Sequence, residues 1–128
     1  MIDHIGIVVS DVEKSKVFYT SALAPISYTL IMELPVSVTG TTDVAGFGEP
    51  DKPDFWISGG IPGESSTHVA FNVANREMVD EFYKAAIEAG GTDNGGPGLR
   101  PHYHPNYYGA FVLDLDGNNI EAVCHAAV

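Results

Sequence analysis

The most constraining feature of this chain is an internal repeat. The segment from Asp3 to Val9 returns 64 residues later as the segment from Thr67 to Val73, and each copy has a histidine at its second position, His4 or His68. The same offset relates the aromatic pairs that follow, Phe18-Tyr19 and Phe82-Tyr83. A repeat of this kind predicts two copies of one structural module. Two equivalent histidines from two equivalent strands also suggest one shared site.

The length and composition of the chain favour one domain. With 128 residues, 45% of them hydrophobic, the chain can bury roughly 65% of its unfolded surface, which is enough for a core without disulfides. We expect a single domain over residues 1–128, with module one at about 1–60 and module two at about 65–128. The one cysteine, Cys124, lies in an apolar segment and is predicted to be a buried thiol, as in a reducing compartment.

The charge balance bears on the partners of the protein. There are 17 acidic residues against 6 Lys plus Arg, which gives a formal net charge of -11. Since no cluster of Lys and Arg offers the positive surface that phosphate binding requires, nucleic acid is not an expected partner. No signal-peptide pattern occurs, and no apolar run approaches the roughly 20 residues of a membrane span. We therefore expect a cytoplasmic protein without a membrane partner.

Each half of the sequence reads as strand, helix and further strands. The first half has a β-rich run from Ile2 to Val9 and a helix capped by Ser10 that ends before Pro25. Three further strands are predicted near residues 26–34, 42–47 and 54–58. The second half repeats the strand and the helix, has a loop over residues 94–101, and ends in a hairpin of residues 107–113 and 118–124. Each half approximates a β-α-β-β-β module.

Pairing two such modules side by side predicts an α+β fold in which a curved mixed sheet surrounds a cavity, with the helices outside. Because successive side chains of a strand alternate between its faces, His4 and His68 are expected to face the cavity while their apolar neighbours enter the core. The same alternation along the last strand turns Glu121 inward. Two imidazoles and one carboxylate form a ligand set that holds a divalent metal and leaves positions open for substrate. Considered singly, these are ordinary strand histidines and an exposed glutamate; the repeat favours the shared metal site.

At these residues the chain resembles the vicinal oxygen chelate superfamily, which includes glyoxalase I, extradiol dioxygenases, fosfomycin-resistance transferases and bleomycin-resistance proteins. The resemblance covers nearly the whole chain and rests on four segments: Asp3 to Val9, Phe18-Tyr19, Thr67 to Phe71, and Asp114 to Glu121. It implies paired βαβββ modules in one glyoxalase-like domain. It also implies one divalent ion, Zn, Ni, Mn or Fe, bound by His4, His68 and Glu121, and a homodimer.

The chain departs from the pattern of this superfamily in two places. Leu115 stands where proline is common, which is a detail of a turn. A resemblance to glyoxalase I also calls for a carboxylate on the last strand of module one, where Trp56, Ile57 or Ser58 stands instead. Asp54 or Glu64 supplies that carboxylate only if the strand is irregular.

The resemblance implies a small metal-dependent lyase or isomerase of the glyoxalase type that acts on a small molecule chelated through vicinal oxygens. Two alternatives stay open: an extradiol-type dioxygenase with the two-histidine, one-carboxylate site, and a metal-free binding protein like those of bleomycin resistance.

A polar and aromatic loop follows the glycine-rich segment of module two and is expected at the mouth of the cavity. Near neutral pH His102 or His104 can act as a general acid or base. An anionic or aromatic substrate is expected to contact Arg100, Tyr103 and Tyr108, with Trp56 as a wall of the cavity. The alternative is an aromatic loop that packs without a catalytic role.

Overall fold

The computed structural model describes residues 1–63 and 67–128, so Glu64 lies outside the described residues. Module one contains β1 (Ile5–Val9), α1 (Val12–Leu23), a 3-10 turn (Ala24–Ile26), β2 (Thr29–Leu34), the short α2 (Val36–Thr39), β3 (Val44–Glu49) and β4 (Lys52–Gly59). Module two contains β5 (His68–Asn72), α3 (Arg76–Glu88), β6 (Thr92–Asp93), β7 (Gly98–Leu99), β8 (Tyr108–Leu113) and β9 (Asn119–Cys124). The predicted order of strand, helix and further strands is present in both halves.

The strands form two mixed sheets, one in each module. The first sheet has the order β1-β4-β3-β2, and the second has the order β5-β9-β8-β6 with β7 beside β8. In each sheet the first strand is parallel to the last strand of its module, and the remaining neighbours are antiparallel. The predicted α+β fold of two paired modules is confirmed. Within the described residues, each module contributes its own hydrogen-bonded mixed sheet.

The two modules share one hydrophobic core. Helices α1 and α3 pack against each other as well as against the sheets. The ring of Phe55 on β4 lies 5.3 Å from the ring of Phe71 on β5, and Tyr19 of α1 lies 5.1 Å from Phe55. Val9, Ile7, Val69 and Phe71 are buried in this core, as the alternation of the two repeated strands predicts. The other side of each sheet, which carries the intervening residues of those strands, is called its open face below.

The cap of α1 differs from the sequence-based expectation. Asp11, not Ser10, is the N-cap residue, and its carboxylate accepts the backbone N–H of Lys14. The backbone N–H of Ser10 instead donates to Asp116 in the turn between β8 and β9. The helix begins one residue later than predicted because the backbone at Ser10 is hydrogen-bonded to module two. Asn75 caps α3 as predicted.

The turn between β8 and β9 also ties the modules together. Gly117 has a φ of 84°, the left-handed conformation expected of an Asp-Gly turn. Asp114 at the start of this turn is buried and accepts hydrogen bonds from the backbone N–H groups of Asp116 and Asn118. Its other oxygen accepts the hydroxyl of Tyr19 at 2.5 Å. No helix within residues 1–63 and 67–128 is both long and apolar enough to cross a membrane.

Candidate metal centre

Two of the three predicted metal ligands meet on the open face of the second sheet. The parallel register of β5 and β9 pairs His68 with Asn119 and Ala70 with Glu121, so the two side chains are neighbours on adjacent strands. Nε2 of His68 lies 3.2 Å from Oε1 of Glu121. The glutamate is 1% exposed although it carries a carboxylate, whereas half of the histidine side chain faces solvent. A buried carboxylate requires donors or a cation, so its neighbours decide what this site can do.

The hydrogen bonds of His68 orient its ring for binding a cation. Nδ1 of His68 lies 3.0 Å from the backbone carbonyl oxygen of Asn119. A carbonyl oxygen only accepts, so Nδ1 carries a hydrogen and Nε2 is the ring atom directed at Glu121. Nε2 and Oε1, 3.2 Å apart, are held together by a proton or a metal cation between them. Ligand atoms bonded to one ion at about 2.1 Å are roughly 3.0 to 3.4 Å apart, so the pair fits a metal.

Tyr107 is the second partner of Glu121. Its hydroxyl donates a short hydrogen bond to Oε2 of the glutamate. Burial raises the pKa of Tyr107 well above its ordinary value, and the hydrogen bond to Glu121 and the negative charge of that residue raise it further. The phenol is therefore a neutral donor at physiological pH. One oxygen of Glu121 is held by Tyr107, and the other faces His68.

His4 lies apart from this pair. It immediately precedes β1, and its Nδ1 donates to the carboxylate of Asp3 at 2.7 Å, so Nε2 takes no part in that hydrogen bond. His4 and His68 both line a cleft of about 330 Å³ between the starts of β1 and β5. Within the part of the chain that the structure describes, no group of three His, Cys, Asp or Glu side chains is close enough to hold a metal ion. Within the described residues, one chain thus brings His68 and Glu121 together and holds His4 apart from them.

Strand pairing identifies the counterpart of Glu121 in module one. In module two Glu121 is paired with Ala70, and in module one the equivalent of Ala70 is Gly6, which is paired with Trp56. Trp56 therefore stands where the resemblance to glyoxalase I calls for a carboxylate, on the open face and half-buried. Its ring lies against Gly46, where an added Cβ would come within 2.7 Å of the indole. The pairing is regular at Trp56, but the register of β3 and β4 shifts at Asp54, where Gly48 is paired with Pro53 and Phe47 with Phe55.

Asp54 is a carboxylate of module one near the start of β1. Ile5 is paired with Phe55, so His4 and Asp54 are the residues that precede this pair. Asp54 lines the same cleft as both histidines. Its Oδ2 accepts the hydroxyl of Tyr28 at 3.0 Å. Burial, and then the hydrogen bond to Asp54, raises the pKa of Tyr28 to about 12.

Arg100 is held above the open face of the second sheet. Its guanidinium lies 5.4 Å from the centre of the Phe111 ring, and the imidazole of His68 stacks on the same ring at 6.3 Å. Nη1 and Nη2 each donate to a backbone carbonyl oxygen, those of Gly98 and Gly96. Two of the five N–H groups of the guanidinium are used in this way, and the others remain for a ligand.

The other predicted residues of the loop form an aromatic cluster. The ring of His102 contacts that of Tyr103 at 4.3 Å, and Tyr103 contacts Tyr107 at 4.8 Å. Nε2 of His104 is hydrogen-bonded to Nδ1 of His125 at 2.8 Å, and Nδ1 of His104 accepts the backbone N–H of Asn106. Tyr103, His104 and His125 contact the ring of Tyr107, and Tyr107 is the residue of this cluster that contacts Glu121.

Tyr108 lies on the opposite side of the sheet. It is paired with the buried Cys124, and its hydroxyl donates to Asp80 of α3 at 2.6 Å. The guanidinium of Arg76 covers its ring. The alternation of β8 explains this: Tyr107, Gly109 and Phe111 point to the open face, and Tyr108 points to the helix. We do not include Tyr108 in the proposed site.

Sequence reasoning did not select Tyr107 and gave little weight to Asp54. Both could have been found from strand alternation. Tyr107 shares the parity of the residue paired with Glu121, which is Phe111. Asp54 has the same parity as Trp56. In the parallel pairing of β1 and β4, His4 and Asp54 each precede the first residue pair.

Solved structures with the same fold are known. A glyoxalase/bleomycin resistance protein from Albidiferax ferrireducens T118 is 27% identical with a TM-score of 0.75, and the alignment covers 97% of this chain and 98% of that one. A glyoxalase I mutant from Zea mays is 23% identical with a TM-score of 0.73, covering 95% of this chain and 46% of that chain. The fosfomycin resistance protein FosX from Listeria monocytogenes, solved with Mn(II) and sulfate, is 18% identical with a TM-score of 0.70, covering 98% and 93%. No family model and no curated sequence matches the chain.

Proposed function

We propose a function from the premise that this chain has the vicinal oxygen chelate fold, as its sequence predicted and the similar solved structures confirm. The function is that of a small metal-dependent enzyme of the glyoxalase type, a lyase or isomerase acting on a small molecule bound through two adjacent oxygens. The observation that carries the proposal is the pair of potential ligand atoms, Nε2 of His68 and Oε1 of Glu121, that face each other at 3.2 Å. A divalent cation bound by both atoms compensates the charge of the buried carboxylate.

His4 is the third ligand in this proposal, supplied by a second copy of the chain. The ring of His4 already has its Nδ1 bonded to Asp3, so the free Nε2 is the donor atom that a metal requires. Within the described residues, β1 and β5 are each paired on one side only, so the strands that adjoin both histidines have free edges. Pairing of these edges in a symmetric homodimer brings His4 of one chain towards His68 and Glu121 of the other.

The side chains around the ligands have separate roles. When bound, the ion supplies Lewis-acid polarisation of the substrate oxygens. Arg100 binds an anionic group of the substrate through the N–H groups that its backbone contacts leave free, and Trp56 forms an apolar wall. Asp54 lines the same cleft as His4, so a second copy of the chain that supplies His4 also brings Asp54 to the site.

Asp54 is the residue we assign to proton transfer. The hydroxyl of Tyr28 donates to its Oδ2, and this bond orients the carboxylate. Oδ1 is then the atom that accepts a proton from the carbon of the substrate. This assignment replaces the carboxylate that the sequence lacks at the position of Trp56.

Mixing of two inactive variants tests the shared site. His4→Ala and Glu121→Ala each remove one ligand from every site, so neither homodimer binds metal tightly. Refolding them together in equal amounts makes half of the dimers mixed, and each mixed dimer has one intact site of two. We expect about a quarter of the wild-type metal content and activity to return. No recovery on mixing would place all three ligands in one chain.

The reaction class is tested with a substrate panel. The metal-free protein and its Fe(II), Mn(II), Zn(II) and Ni(II) forms are incubated with hemithioacetals and with catechols. The proposal predicts hemithioacetal isomerisation with several of these ions and little with Asp54→Asn. Ring cleavage with uptake of dioxygen, confined to the Fe(II) or Mn(II) form, would instead identify an extradiol dioxygenase.

A further inference from the structure

Glu121 is held by a hydroxyl group that its role as a ligand does not by itself require. The Tyr107 hydroxyl donates to Oε2, while Oε1 faces His68 at 3.2 Å. The carboxylate is almost completely buried, so it has few other orientations available. The two oxygens therefore have different partners: one accepts from the phenol and the other is directed at the imidazole.

The backbone next to Tyr107 is shaped for this contact. A Cβ added at Gly109 would lie 3.2 Å from Oε2 of Glu121 and 3.2 Å from Cε1 of Tyr107. These distances are tighter than ordinary van der Waals contacts, so a larger residue at this position pushes one partner away from the other. Gly109 is the open-face residue between Tyr107 and Phe111 on β8. Its missing side chain leaves room for the carboxylate and the phenol to meet.

The ring of Tyr107 is itself fixed on several sides. The rings of Tyr103, His104 and His125 lie 4.8, 5.5 and 5.4 Å from it. Its backbone carbonyl oxygen accepts the N–H of Arg100 at 2.7 Å, and its own N–H donates to the carbonyl oxygen of His104 at 3.1 Å. The hydroxyl thus comes from a rigid support, and the aromatic loop is that support.

We propose that Tyr107 is a positioning residue for the metal centre, which fixes Glu121 as a ligand through Oε1 alone. This inference rests on the proposed function, since it assumes that Glu121 binds a metal. It gives the loop of residues 100–107 a role that does not require its histidines to touch the substrate: His104 and His125 hold the ring of Tyr107, and Tyr107 holds Glu121. With Oε2 engaged, the carboxylate does not bind the ion through both oxygens, and a coordination position stays open for substrate.

Tyr107→Phe tests the inference because it deletes the hydroxyl and keeps the ring. We expect Mn(II) or Zn(II) affinity to fall about 10- to 100-fold, the usual effect of losing a hydrogen bond to a ligand. The Co(II)-substituted protein reports coordination directly: its visible spectrum is expected to change as the carboxylate turns towards binding through both oxygens. Gly109→Ala, which separates the same two groups, is expected to change affinity and spectrum in the same direction.

Tyr108→Phe is the matched control, since the neighbouring tyrosine also donates to a carboxylate but on the helix side of the sheet. It is expected to leave metal affinity and the Co(II) spectrum as in the wild type. If the wild-type protein binds metal and Tyr107→Phe matches Tyr108→Phe in both measurements, the inference is wrong and the proposed function stands. If the wild-type protein binds no divalent ion, the proposed function fails and the inference fails with it.

Discussion

The hydrogen bond between Tyr19 and Asp114 is predicted to be a large single contribution to the stability of the fold. Tyr19 belongs to α1 of module one, and Asp114 begins the last turn of module two, 95 residues later. Both are buried, and the hydroxyl donates to the carboxylate at 2.5 Å. Burial, followed by the charge of Asp114 and this bond, raises the pKa of Tyr19 well above its ordinary value. The phenol therefore remains a donor throughout the physiological range.

Tyr19→Phe removes the hydroxyl and leaves the ring, so it creates no large cavity. A hydrogen bond to a charged group contributes about 1.5 to 3 kcal/mol. Asp114 keeps its three other donors, the backbone N–H groups of Asp116 and Asn118 and the side-chain amide of Asn118, so the carboxylate is not left unpaired. We therefore expect the free energy of unfolding to fall by about 2 kcal/mol, in the middle of that range.

Urea denaturation followed by circular dichroism measures this loss. The midpoint is expected to fall while the slope of the transition is unchanged, because the surface exposed on unfolding is the same. Tyr83→Phe is the control: its hydroxyl donates to Asp93 at the exposed surface, and its removal is expected to leave the midpoint in place. Equal midpoints for the two variants would refute the argument that burial makes the Tyr19 bond strong.

Two further substitutions test other contacts. Tyr28 has a pKa of about 12 in the folded protein against an ordinary value of 10.0. The stability that this shift contributes is fully present below about pH 10 and is lost as the pH rises to about 12. Tyr28→Phe is therefore expected to reduce the alkaline loss of stability in a pH series of urea melts, and an unchanged series would contradict this. Gly46→Ala places a Cβ 2.7 Å from the Trp56 ring. We expect this substitution to destabilise the protein by about 1 to 3 kcal/mol and to shift the fluorescence emission of the one tryptophan. Wild-type stability and emission would show that the ring does not lie against Gly46.

Much of the fold could be predicted from the sequence because the repeat has a physical basis. Each repeated strand buries alternate residues, and each repeated helix packs an aromatic pair, so the order of the elements and the strand faces followed from the pattern. The glycine turn at Gly117 was likewise predictable, because few other residues adopt its φ. The cap at Asp11 was not, since the preceding residue is held by a contact with Asp116 that is 106 residues distant.

The candidate site was only partly predictable, since its geometry depends on strand register. The proximity of His68 and Glu121 follows from one parallel strand pair, which the repeat implies. The counterpart of Glu121 is Trp56 and not Ile57, the residue at the repeat offset of 64. The reason is that the chain between the first and the last strand has a different length in each module. The separation of His4 from the pair depends on how two modules pack, which no local pattern specifies.

Metal content is the most direct test of the central claim, that Nε2 of His68 and Oε1 of Glu121 face each other as ligands of a divalent ion. Protein prepared without a histidine tag is dialysed against Mn(II) or Zn(II), and its bound metal is measured by mass spectrometry. We expect about one ion per chain, falling below about 0.2 in both His68→Ala and Glu121→Gln. His102→Ala, which removes a histidine outside the ligand set, is expected to retain the ion. Less than about 0.2 ions per chain in the wild-type protein, or full retention in either ligand variant, would contradict the claim.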